Sequence, residues 1–120
     1  MTEEILLEAE ERMDNAVQAF RRVRDLSPLS GTAIHSTYFE AIAFYRDERW
    51  REAAAAFQLL VDTFPEAHAA AESLYHVGLC LDRTGDPSGA GRVFEQVRQR
   101  FPSTYWAAQA TERLAGKPGR

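Results

Sequence analysis

The sequence has few of the features that mark membrane and secreted proteins. Cys80 is its only cysteine, so no disulfide framework can form within the chain. No run of about 18 apolar residues is present, and a membrane-spanning helix needs one. The N-terminal stretch MTEEILLEAEER is acidic and has no apolar centre, so it does not resemble a secretory signal. These absences predict a bacterial cytoplasmic protein, or a periplasmic one only if the chain is a domain excised from a longer protein.

Lysine is also nearly absent, and the charge balance is acidic. Lys117 is the only lysine among 14 basic residues, and 18 acidic residues bring the formal net charge to −4. A protein that binds nucleic acid or an anionic membrane would show a basic stripe. The composition therefore predicts neither nucleic-acid binding nor membrane insertion.

No motif points to catalysis. His76 and Cys80 lie four residues apart on one predicted helical face, as a metal-ligand pair or a nucleophile and its base could. Cys80 has apolar neighbours and no third ligand is evident, so core packing is the favoured interpretation. Gly85, Gly89 and Gly91 lack the Gly-Lys-Ser/Thr ending of a phosphate loop. The sequence thus predicts no enzyme, no metal site and no cofactor.

What the sequence does contain is an internal repeat. At 120 residues, 45% of them hydrophobic, the chain is long enough for one domain with a packed core. An Ala, a Phe four residues later, an apolar residue three further on and then a Pro recur at intervals of 37 positions. The three sets are Ala16, Phe20, Val23, Pro28; Ala53, Phe57, Leu60, Pro65; and Ala90, Phe94, Val97, Pro102. This spacing is one face of a helix, which the Pro ends because it lacks the N–H of the helical ladder.

The last copy is preceded by a second helical pattern. Leu74, Val77, Gly78 and Leu81 come before a turn in which Asp86 can cap the next helix. Together the two patterns resemble the helix A and helix B markers of the tetratricopeptide repeat (TPR) family. The middle copy keeps helix B, but its helix A positions are Thr37, Glu40, Ala41 and Phe44, so two of four markers are lost. The first copy keeps helix B only.

The resemblance implies an all-α fold of antiparallel helix-turn-helix repeats stacked in a right-handed solenoid with about six helices. It also implies a protein-binding function, since such arrays offer a grooved surface. The interval of 37 exceeds the family's usual 34. The longer unit resembles the TPR domains of bacterial cell-envelope coordinators.

The patterns predict one domain over residues 1–115. Its helices are expected at 3–26, 33–47, 50–64, 67–84, 87–101 and 104–115, with repeats at about 33–65 and 67–102, a C-terminal capping helix at 104–115 and a disordered tail at 116–120. The repeat interval would place a turn near residues 11–13. No Gly or Pro occurs there, so the first helix is predicted to be unbroken.

The resemblance also implies where a partner binds, because helix A lines the concave face in the family. Matched residue by residue, the groove positions are Tyr38, Ile42, Tyr45, Tyr75, Leu79 and Asp82, with His35, Arg46, His76 and Arg83 at the edges. An aromatic groove of mixed charge suits the anchoring of a partner segment. For Ile42 and Leu79, packing between helices is an equally good interpretation.

Two functions therefore remain open. The first is a non-catalytic adaptor that binds another protein or a peptide segment in the helix A groove. The second is a structural module that forms a homodimer or larger assembly through apolar terminal faces, which a short solenoid leaves uncapped. The candidate residues for those faces are Ile5, Leu6, Leu7, Trp106 and Leu114.

Overall fold

The structure, a computed structural model, describes the backbone of residues 3–116 and the side chains of residues 8–116. Within this range the chain forms six helices and no strand. They are α1 (Glu3–Leu26), α2 (Gly31–Arg46), α3 (Trp50–Thr63), α4 (Ala70–Arg83), α5 (Pro87–Arg100) and α6 (Tyr105–Leu114). Helices adjacent in sequence pack against each other, and α4 also touches α6. The predicted all-α helical-repeat fold is confirmed.

The interval of 37 governs the placement of the helices as well as the sequence. The helices α1, α3 and α5 end at Leu26, Thr63 and Arg100, each 37 residues after the one before. Shifting α2 by the same interval gives α4, and shifting it twice gives α6. We therefore call α2, α4 and α6 the A helices, and α3, α5 and the second half of α1 the B helices.

The phenylalanines of the B helices are the centres of the core. Phe57 lies in a first cluster with Val17, Phe44 and Val77, and Phe94 lies in a second cluster with residues of α3, α4 and α6. Both rings are buried, at 0% and 3% exposure. The stacking of successive helices thus gives the array two joined cores.

Gly78 on α4 allows the ring of Phe94 to approach the helix backbone. A Cβ at this position would lie 2.5 Å from Cε1 of Phe94, which is closer than packed carbon atoms approach. The equivalent position on α2 is Ala41, which packs with Phe57 in the first cluster. A small residue on helix A is therefore the counterpart of the large ring on helix B.

Helix starts follow the capping residues. The side chains of Ser30 and Thr104 accept hydrogen bonds from backbone N–H groups three residues later, at 3.1 Å in both cases, so α2 begins at Gly31 and α6 at Tyr105. The equivalent residue before α4 is Ala67, which has no side-chain oxygen that could cap the helix. For that reason α4 begins at Ala70 and not at the predicted residue 67.

The first helix runs from Glu3 to Leu26 without interruption. Residues 10–12 take the place that a turn occupies in the later repeats, at 47–49 and 84–86. The N-terminal half of α1 therefore continues straight beyond the repeat instead of folding back as a helix A. The side chains of Ile5, Leu6 and Leu7 lie outside the described residues, as does the predicted disordered tail from Lys117 onward.

An ion-pair cluster joins α1 to α2. The carboxylate of Glu40 is only 3% exposed, and it accepts from Arg21 Nε at 2.9 Å and from Arg24 Nη1 at 2.8 Å. Burial of a carboxylate is tolerable only when such charged donors compensate for the lost water. This explains why the middle repeat carries Glu at a position where the next repeat has Val77.

Candidate partner-binding surface

A row of aromatic rings crosses the three A helices. Tyr45 on α2 lies 5.2 Å from His76 on α4, and His76 lies 5.8 Å from Trp106 on α6, measured between ring centroids. All three side chains are half-buried. We call these three residues the aromatic row, and it gives the A-helix side of the molecule a continuous apolar strip whose edges contact water.

His76 is held at the centre of the row. Its ring lies 5.1 Å from that of Phe57, and its Nδ1 lies 2.9 Å from the carbonyl oxygen of Glu72. A carbonyl can only accept, so Nδ1 carries the hydrogen, and in the neutral ring Nε2 is then an acceptor. The neutral imidazole therefore places one hydrogen-bond acceptor within the aromatic row.

The outer end of Tyr45 is supported by Trp50. Their rings meet edge to face at 5.1 Å, and the guanidinium of Arg83 lies 5.2 Å from the centroid of Trp50. Burial raises the pKa of Tyr45 above its ordinary value. The row is thus positioned by packing against α3 and not by solvent-exposed loops.

Tyr38 connects two A helices instead of standing free in a groove. Its hydroxyl donates to Oε2 of Glu72 at 2.6 Å, and its ring meets Phe57 edge to face at 6.4 Å. Burial, followed by the hydrogen bond to Glu72 and its negative charge, raises the pKa of Tyr38 to about 12. This tyrosine is half-buried, so one side of the ring remains available beside the row.

Tyr75 is not a groove residue as predicted, although it occupies the same repeat position as Tyr38. It is 4% exposed and lies in the second core cluster, with the rings of Phe94 and Trp106 both 5.4 Å away. Its hydroxyl accepts from Arg113 Nε at 3.3 Å. The difference arises because Trp106 covers Tyr75, whereas the residue one repeat earlier than Trp106 is Ala69. Tyr75 therefore belongs to the core and not to a binding surface.

The other expected groove residues divide into two kinds. Ile42 packs against the first cluster and Leu79 against the second, and both stay half-buried. Arg46 and Asp82 are exposed, as are His35 and Arg83. The surface around the aromatic row therefore carries both charge signs on exposed side chains.

The repeat observed here matches a known family. A model of the tetratricopeptide repeat family matches residues 40–67 and 72–104, about half of the chain. The chain belongs to the tetratricopeptide repeat family. No curated protein matches it. TPR repeats generally serve as non-catalytic modules for protein interaction, and both matched segments pair A-helix residues with the following B helix.

The residues expected at terminal faces are distributed differently in this TPR domain. Trp106 lies on the A-helix side against Tyr75 and His76, so it is part of the aromatic row and not of an end face. Leu114 is 39% exposed at the end of α6. Ile5, Leu6 and Leu7 lie outside the residues whose side chains the structure describes.

Sequence reasoning missed that Trp106 and Arg113 belong to the A-helix surface. The interval of 37 predicts that α6 is an A helix, because extending the repeat beyond Pro102 aligns Tyr105 with His68 and Arg113 with His76. Helix α6 is then an A helix of the TPR array and not merely a cap. Its side chains extend the surface that α2 and α4 begin.

The chemistry suspected at Cys80 has no support from the geometry. Its thiol is fully buried, and burial raises its pKa to about 11, so the reactive thiolate is disfavoured. Among residues 8–116, no cluster of three His, Cys, Asp or Glu side chains could hold a metal ion. Nor is any helix in the described part of the chain long and apolar enough to cross a membrane.

Proposed function

We propose that this TPR domain is a non-catalytic adaptor that binds a segment of another protein on its A-helix surface. One observation carries the proposal: the aromatic row crosses α2, α4 and α6 with centroid spacings of 5.2 and 5.8 Å, and none of its three residues is fully buried. Aromatic side chains at the centre of a contact supply much of the binding energy in protein interfaces. A row that spans three helices can contact several residues of one segment.

The chemistry of the surface favours a partner with an apolar anchor flanked by charges. Rings of the row provide flat apolar area, and Nε2 of His76 provides an acceptor for a donor on the partner. Arg46 and Arg83, the last residues of their A helices, are exposed, as is the acidic Asp82 that precedes Arg83 in sequence. Charges at the rim of an interface give orientation more than affinity, so the anchor is expected to dominate the free energy of binding.

A substitution of Trp106 tests the proposal. Peptides that bind the wild-type domain would be selected from a random displayed library, and their affinities measured by fluorescence anisotropy. Trp106→Ala is expected to weaken binding by about 30-fold, the equivalent of about 2 kcal/mol for an aromatic anchor of an interface. The exposed Leu59 on α3 offers a matched control, because Leu59→Ala removes an apolar side chain outside the A-helix surface.

Circular dichroism of both variants establishes that the fold persists. Because Trp106 also covers Tyr75, the exposed pair Arg46→Glu with Asp82→Lys provides a second variant that leaves the core unchanged. Equal affinities for the wild type and both surface variants, with the fold retained, would place the binding surface elsewhere.

Finer assignments rest on the sequence and stay predictions. The interval of 37 favours a relation to the TPR domains of cell-envelope coordinators. Assembly through terminal faces is the second function that the sequence leaves open, and the uncovered faces of α1 and α6 favour it.

A further inference from the structure

The two ends of the described array are incomplete in complementary ways. The second half of α1 is a B helix, but no A helix of its own repeat packs on it, because the preceding residues continue α1 as a straight helix. At the other end, α6 is an A helix, and no B helix packs on its outer side within the described residues. One end thus presents half of a repeat and the opposite end presents the other half.

The B-helix end exposes residues that are buried in complete repeats. Ala53, Phe57 and Leu60 on α3 are buried, as are Ala90, Phe94 and Val97 on α5. Their equivalents on α1 are Ala16, Phe20 and Val23, of which the first two are half-buried and Val23 is 38% exposed. The same residue types at the same repeat positions therefore lack the cover that an A helix provides elsewhere.

The A-helix end shows the converse pattern. Thr37 and Leu74 are buried beneath their B helices, whereas the equivalent Thr111 on α6 is exposed. Ala41 and Gly78 are the small residues on which Phe57 and Phe94 rest, and the equivalent residue is the exposed Ala115, the C-cap of α6. The C-terminal end of α6 thus offers a small residue at the repeat position against which a phenylalanine ring of a B helix packs elsewhere.

We propose that copies of this chain associate end to end, with α1 of one copy packing on α6 of the next as a B helix packs on its A helix. The occupant is a second copy because the uncovered face of α1 already has the Ala, Phe and Val that an A helix of this array covers. The contact completes a repeat from two halves. It uses the ends of the array, so it is independent of the proposed partner surface.

A recess beside α6 fits this docking. It measures about 440 Å³ and is lined by α5 and α6, including Glu95, Arg98, Gln99 and Thr111. A recess earlier in the chain is lined by Arg21 and Arg24, the equivalents of Glu95 and Arg98, and there α3 lines one side through Glu52, Ala55, Ala56 and Leu59. The corresponding residues on α1 are Asn15, Gln18, Ala19 and Arg22. The recess at α6 is therefore the place where a B helix of the array would pack.

Charge supports the same pairing. In the earlier recess, Arg21 of α1 and Leu59 of α3 line the same space. At the α6 end of the array, the equivalent residues are Glu95 on α5 and Arg22 on the docked α1 of the next copy. Arg22 would thus meet Glu95, which forms an ion pair with Arg98 at 3.0 Å, and Gln18 would face the part of the recess that Gln99 lines. The docked α1 brings an opposite charge to Glu95 and an amide to Gln99.

End-to-end contacts of this kind are heterologous. Each added copy leaves one uncovered α1 and one uncovered α6, so association continues beyond a dimer unless the rotation closes a ring. An isologous dimer would instead use the same face of both copies and stop at two. Mass as a function of concentration therefore distinguishes the arrangements.

Two blocking variants test the proposal without altering the core. Ala19→Arg places a long charged side chain on the uncovered face of α1, and Thr111→Arg does so on α6; both residues are exposed. Arginine is a good helix former, so both helices tolerate the change. The matched control is Ala55→Arg, an exposed alanine on the middle B helix. Sedimentation velocity on each protein, from about 1 μM to about 1 mM, reports the average mass over affinities of that range.

The wild type and Ala55→Arg are expected to rise in average mass beyond that of a dimer. Each blocked variant alone should associate at least about tenfold more weakly, which corresponds to about 1.4 kcal/mol. An equimolar mixture of the two blocked variants should form a dimer and stop there, because one intact α1 and one intact α6 remain. A wild type that stays monomeric, a blocked variant that alone associates as tightly as the wild type, or a mixture that fails to pair would each overturn the proposal. None of these results bears on peptide binding by the aromatic row.

Discussion

Three phenylalanines at one repeat position provide a graded test of the fold. Phe57 and Phe94 are buried at 0% and 3% exposure, whereas the equivalent Phe20 is half-buried and stacks on Phe39 at 6.1 Å. Truncation of a buried phenylalanine to alanine costs both the transfer free energy and a cavity, about 3 to 5 kcal/mol. We expect that loss in the free energy of unfolding for Phe57→Ala and for Phe94→Ala.

Phe20→Ala should cost much less. Burial of a whole phenylalanine side chain is worth about 1.5 to 3 kcal/mol, and Phe20 is only partly covered, so about 1 kcal/mol is expected. Because the site opens to solvent, water fills the space and no closed cavity adds to the loss. The three variants therefore differ in a way that burial alone determines.

Urea denaturation followed by far-ultraviolet circular dichroism measures the three losses. The midpoint and the slope are both needed, because a repeat array can lose cooperativity and a changed slope reveals it. The samples must be dilute, so that a second copy does not cover α1. A loss below about 1 kcal/mol for Phe94→Ala, or a loss for Phe20→Ala as large as that for Phe57→Ala, would refute the reasoning.

Two further predictions follow from the packing of α4. Gly78→Ala should lower the free energy of unfolding by about 1 kcal/mol in the same assay, since displacement of Phe94 by the new Cβ outweighs the gain in helix propensity; an increase in stability would contradict this contact. Burial raises the pKa of Cys80 to about 11 in the folded state, whereas the unfolded value is about 8.5. The neutral thiol's contribution to the free energy of unfolding is therefore complete below pH 8.5 and is lost as pH rises toward 11. The stability of the wild type should therefore fall relative to Cys80→Ala over that range, and native protein at pH 8 should react slowly with thiol reagents; rapid labelling of the native state would refute the burial.

The B helices could be predicted from the sequence because their requirement is local. Each needs an alanine, a phenylalanine and an apolar residue on one helical face, and α3 and α5 bury those residues. The start of α4 was predicted less well because it depends on one capping position. Ala67 stands there in place of the Ser or Thr of the other A helices, and the first turn is lost.

The candidate site was harder to predict because exposure depends on residues distant in sequence. Tyr38 and Tyr75 occupy equivalent positions, and nothing in their immediate neighbours predicts that one is half-exposed and the other buried. The difference depends on Trp106, 31 residues beyond Tyr75, whose repeat equivalent is Ala69. Residue-by-residue transfer from a family therefore identifies the face of a helix, but the next helix determines which of its side chains remain accessible.

The contacts between each B helix and the following A helix show how one repeat position can hold different chemistry. At the first interface the pair is Arg24 and Glu40, an ion pair of 2.8 Å with a buried carboxylate. The equivalent pair at the second interface is Val61 and Val77, both buried. Each interface is thus internally matched, and an exchange of only one member would leave a charge facing an apolar side chain.

The third interface holds a mismatched pair, Arg98 and Leu114. Arg98 turns to Glu95 on its own helix at 3.0 Å, and Leu114 is left 39% exposed at the end of α6. An arginine cannot be desolvated against a leucine without losing its hydrogen bonds to water, so the last turn of α6 receives less cover than α2 or α4. Leu114 consequently adds apolar surface that is still to be buried at the end of the array where we propose that a second copy docks.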